Sequence, residues 1–143
     1  MARKDLYTLI RIRKWDVDEK QREVAALMRR EESILANQAA LAEEMRAEMS
    51  LAGQASPTER YTLVPYLGRC EERKKNMDAL LVEVRRAIEV ARDELADTFR
   101  RLKTFEVTQE AREAKDEAEE ARIEQIELDE MGLTLHRRRP AGV

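Results

Sequence analysis

A chain of 143 residues is one domain at most, and with only 4 % aromatic and 40 % charged residues it lacks the large apolar side chains of a globular core. Rich in Ala, Glu, Lys, Leu and Arg, with apolar residues at helical spacing, it reads as coiled coil or long helix. Its 27 basic and 30 acidic residues nearly cancel to a net charge of −3, which implies no bulk attraction to nucleic acid.

The expected fold class is all-α: a two-helix antiparallel coiled-coil hairpin with a C-terminal helical overhang, forming a single unit over 1–143. The first helix is predicted over 4–52. Alternating steps of four and three from Leu6 reach Ile10, Arg13, Val17, Lys20, Val24, Leu27, Glu31, Ile34, Gln38, Leu41, Met45, Glu48 and Ala52, mostly apolar and on one helix face. Arg13, Lys20, Glu31 and Gln38 interrupt this seam, which lowers stability but can fix register. Trp15, the only tryptophan, lies off the seam, either as a side chain flanking the partner helix or as an anchor for another protein.

Residues 53–57 are the predicted turn. Gly53 would end the first helix in a left-handed conformation, and Ser56, Pro57 and Glu59 form an N-cap, first helical residue and capping box. So short a connection joins antiparallel neighbours. The second helix is predicted over 58–135, with Pro65 and Gly68 producing a kink or a restart near 64–68. Its seam runs Leu63, Leu67, Cys70, Lys74, Met77, Leu81, Val84, Ile88, Ala91, Leu95, Thr98, Leu102 and Phe105. Folding at the turn sets Val17 near Leu95, Val24 near Ile88, Ile10 near Leu102, Met45 near Leu67 and Gln38 opposite Lys74.

Past Glu106 the first helix is spent, and the seam positions turn polar. The overhang carries small alanines and then Ile123, Ile126, Leu128, Met131, Leu133 and Leu135 with nothing in the chain to cover them. Between residues 106 and 130 eleven acidic residues face three basic ones, whereas residues 3–30 are net basic and 136–143 form a basic tail around Arg137, Arg138 and Arg139. Charge bands of this kind suit steering toward a partner. Three arginines without interleaved aromatics make a poor nucleic-acid site.

A lone Cys70 excludes an intramolecular disulfide and favours a reducing compartment. The N-terminus has no apolar stretch long enough for a signal peptide, and nothing approaches a membrane span, so a soluble, cytoplasmic protein is expected. One histidine and one cysteine leave no metal site, and no phosphate loop or nucleophile elbow is present. No catalytic residue, metal or cofactor is expected, and the chain would act by being held.

Several strings resemble the FliJ family and its injectisome counterpart YscO, the small coiled-coil proteins of flagellar and type III export ATPase complexes. They are Leu6–Lys14 with Val17-Asp18-Glu19-Lys20, Leu27-Met28-Arg29-Arg30-Glu31-Glu32, and Leu128-Asp129-Glu130 followed by Leu135-His136-Arg137-Arg138-Arg139. The resemblance implies a stalk-like component of the export apparatus, peripheral at the inner face of the cell membrane. Its implied partners are the hexameric, FliI-like export ATPase, the cytoplasmic domain of an FlhA-like export gate, and export chaperones. It places gate contacts just after the turn, at Tyr66, Leu67, Cys70, Arg73 and Met77. Charge places ATPase contacts at Arg11, Arg13, Lys14, Arg137, Arg138 and Arg139, with Trp15 beside the first three as a candidate anchor. The alternatives are a structural coiled coil that self-associates through its seam, and a holdase-type chaperone using the apolar tip.

Overall fold

The computed structural model describes residues 6–139. Two helices account for nearly all of them, α1 (Tyr7–Ala52) and α2 (Pro57–Arg138), and no strand occurs among the described residues. The two helices pack against each other as an all-α hairpin. Packing divides the chain into two units, residues 15–98 and, among the described residues, 6–14 with 99–139.

In the first unit, α1 reverses into α2 across residues 53–56. Ser56 N–H donates to Glu59 Oε2 (3.2 Å) and Glu59 N–H to Ser56 Oγ (3.4 Å), the reciprocal pair of a capping box. The end of α1 is closed differently from the expected glycine cap. Gly53 does not adopt the left-handed conformation. Tight turns from Gln54 N–H to Leu51 O and from Ala55 N–H to Ala52 O close the helix, and Arg60 Nε reaches back to donate to Ala52 O at 3.1 Å. A basic side chain on a C-terminal carbonyl also suits the helix dipole.

The core of this unit is a single seam: Val17, Ile34 and Leu41 from α1 against Cys70, Val84, Ile88 and Ala91 from α2, all buried and all on predicted seam positions. Two polar seam residues are held by bonds across the pair. Lys20 Nζ donates to Glu94 Oε2 at 2.7 Å, and Gln38 Nε2 donates to Asp78 Oδ1 at 2.7 Å. Gln38 therefore bonds one helical turn beyond Lys74, which lines the same shallow groove. Falling numbers on α1 meet rising numbers on α2, so the pairing is antiparallel.

Pro65 lies inside α2 without ending it, and the helix does not restart after it. Proline removes the bond that the Tyr61 carbonyl would have accepted. Tyr61 is 85 % exposed, so water can take that place.

In the second unit residues 6–14 lie along the α2 segment that begins at Phe99. Ile10 and Leu102 are buried, the Arg13 guanidinium stands 5.7 Å from the Phe105 ring centroid, and Leu6 N–H donates to Gln109 Oε1 at 3.2 Å. Gln109 is the one buried polar residue among those described, and its Nε2 donates onward to Glu113 Oε1 at 3.2 Å. After Glu113 every described side chain is exposed. The helix nonetheless continues to Arg138, three residues past the expected end, so His136, Arg137 and Arg138 form its last turn. Positive charge is favourable there, against the partial negative charge of the terminal carbonyls.

Candidate functional site

No group of His, Cys, Asp or Glu among the described residues could hold a metal ion. No helix among them is long and apolar enough to cross a membrane. The candidate sites are surfaces, and the fold sorts the residues singled out by sequence into three groups.

Near the start of α1, Arg11 and Lys14 are exposed. Arg13 is half-buried over Phe105, so its charge is partly committed to holding α2. Tyr7, Leu9 and Ile12 on the same segment are large, apolar and exposed, a feature that the heptad count hides because none lies on the seam. Trp15, in the first unit, is 61 % exposed.

Arg137, Arg138 and Arg139 are exposed as well, but they do not join Arg11 and Lys14. Leu6 meets α2 at Gln109, and Arg137 stands 28 residues further along the same helix. At 1.5 Å per residue that is roughly 40 Å. Charge alone could not reveal this separation, because it depends on where α1 begins. The acidic stretch fills the interval. Glu119 pairs with Arg122 at 2.6 Å, and this contact holds the Glu119 carboxyl below the usual carboxylate range and raises the Arg122 guanidinium. Ile123, Ile126, Leu128, Met131, Leu133 and Leu135 are all exposed on this helix.

The third group follows the turn. Of the five residues assigned there to gate contact, only Arg73 is fully exposed; Leu67 and Met77 are half-buried. Cys70 is 1 % exposed and packs in the seam, so in this structure it is not offered to a partner. Tyr66 is half-buried with its hydroxyl enclosed near Glu44 and Cys70, yet it makes no well-formed hydrogen bond to either. Burial first, and then Cys70 and Glu44, push its pKa well above that of an ordinary phenol. The same spacing that puts Tyr66, Cys70 and Met77 on one face makes that face the seam. What this end of α2 exposes is Tyr61 and Val64, with Gly68 on the same outer face and open space around it. Arg73 and Met77 border a shallow groove with Asn37, Leu41, Glu44 and Asn76.

A family model described as Flagellar FliJ protein matches residues 2–141. No curated protein and no solved structure matches the chain.

Proposed function

The chain belongs to the FliJ family of flagellar proteins, which makes it a component of the flagellar export apparatus, and from that membership we propose that it binds the hexameric export ATPase as a central stalk and promotes its assembly and turnover. The observation that carries this reading is the asymmetry of the second unit. A basic, partly apolar start of α1 lies against α2, which then runs on uncovered through an acidic stretch to a basic last turn. A helix with three charge bands can meet the subunits of a ring unequally, and exposed charge pairs are weak enough to be exchanged as the ring turns over. Arg11 and Lys14 are one set of contacts, with Arg13 positioned by Phe105, and Trp15 is a contact made by the other unit. Arg137, Arg138 and Arg139 are a second set at a different depth along the ring axis.

Through residues of its first unit the chain meets the export gate. Arg73 and Met77, beside the shallow groove with α1, are retained from the sequence assignment, and Tyr61 and Val64 add a separate apolar patch on the outer face of α2. Tyr66, Leu67 and Cys70 support that surface from the inside. Export chaperones are the remaining partners, and attachment to the membrane's inner face runs through the apparatus.

The test is turnover of the cognate export ATPase with Arg11→Glu and Lys14→Glu combined, Arg13 being left in place to spare its contact with Phe105. Stimulation is lost while helicity by circular dichroism is unchanged. Full stimulation by this variant removes the assignment of the α1 contacts.

A further inference from the structure

The uncovered part of α2 has a face of its own. Val107, Ala114, Ala121, Leu128 and Leu135 recur every seven residues, with Ala111, Ala118, Gln125 and Gly132 between them. At helical spacing these nine positions share one side of α2, turned well away from the side on which Leu102 and Gln109 meet residues 6–14. All nine are exposed, and Val107, Leu128 and Leu135 are each more than half exposed.

We propose that this face pairs, antiparallel, with the same face of a second copy of this chain. Charge selects the direction. A parallel pair would set the arginines of one tail beside those of the other, while an antiparallel pair lays each tail over the acidic stretch of its partner. Side-chain size selects the register. Leu128 stands opposite Ala118, Leu135 opposite Ala111 and Gln125 opposite Ala121, so each of these three larger residues meets a small one, while Gly132 falls opposite Ala114. A parallel pair in register would put alanine against alanine and leave voids. In the antiparallel register Glu110 faces Arg138 and Lys115 faces Asp129, each contact occurring twice by the two-fold symmetry. The like pairs, Arg122 with its copy and Glu124 with its copy, occur once each at the axis, and Arg122 is already bonded to Glu119. The pairing covers the exposed leucines when no other partner does. It stands apart from the ATPase reading, since the isolated chain suffices to test it.

The experiment is sedimentation of the full chain, in a Cys70→Ala background, over a wide concentration range. A monomer–dimer equilibrium is expected. Arg138→Glu shifts its midpoint to about tenfold higher concentration, two weak charge pairs being lost and reversed, and adding Glu110→Arg restores it. Ala114→Cys chains mixed with Gly132→Cys chains form a disulfide-linked heterodimer on mild oxidation, and neither forms a dimer alone. A chain monomeric at every concentration, a dimer indifferent to both charge reversals, or cross-linking of Ala114→Cys with itself overturns the proposal.

Discussion

Gln109 is the side chain on which the start of α1 depends. Its Oε1 accepts from Leu6 N–H, one of the donors that a helix N-terminus leaves without an intrahelical partner, and its Nε2 is taken by Glu113. The first turn of α1 contains no acidic residue to share that role. Replacing Gln109 with Leu keeps an apolar stem of similar size in a site that is 9 % exposed and removes the bond alone, at a cost of about 1 kcal/mol. Gln109→Ala also removes one buried methylene, for about 0.8 kcal/mol more. Because 1.4 kcal/mol is a factor of ten, the opening of the first turn should rise about fivefold in the first variant and on the order of twentyfold in the second. Amide hydrogen exchange over residues 10–14 reads this opening directly, while residues 70–91 serve as an unaffected reference. Unchanged protection at residues 10–14 in Gln109→Ala would refute the idea that α2 caps α1.

Three further outcomes follow from the packing. Leu41→Ala, at a site 3 % exposed, should lower stability by about 2–3 kcal/mol in thermal unfolding, the lower part of the usual range because a two-helix seam can partly collapse; half-exposed Leu35→Ala should cost under about 1 kcal/mol. Gly68→Ala adds a methyl to open space inside α2 and should stabilise by about 1 kcal/mol, measured by urea unfolding. Tyr66 has a raised pKa, so its neutral form is favoured in the folded chain; the stability this represents is present below the ordinary phenol value near 10.0 and is lost as pH rises through and above it. An ultraviolet titration should show Tyr66 ionising only with unfolding, and Tyr66→Phe should delete that late phase.

The seam was legible because it depends on spacing alone. Ile10, Val17, Ile34, Leu41, Val84, Ile88 and Leu102 are buried where alternating steps of four and three put them. The capping box was legible because Ser56 and Glu59 bond within three residues of each other. Features that depend on the partner helix were not. Gly53 is relieved of its left-handed role by Arg60, eight residues from the carbonyl that it caps. Pro65 does not break α2 because the carbonyl it leaves open is beside an exposed Tyr61. Cys70 and Tyr66 illustrate the sharpest limit. Their spacing fits a contact motif and a core seam equally, and only the position of α1 shows that the seam wins. The exposed apolar residues Tyr7, Leu9, Ile12 and Val64 went unnoticed because they fall between seam positions.

The most direct measurement is amide hydrogen exchange of the chain alone and in complex with its cognate flagellar export ATPase. The account predicts new protection in two separated stretches, residues 7–14 and residues 115–138, with residues 57–77 unchanged. Protection confined to residues 57–77 would contradict it.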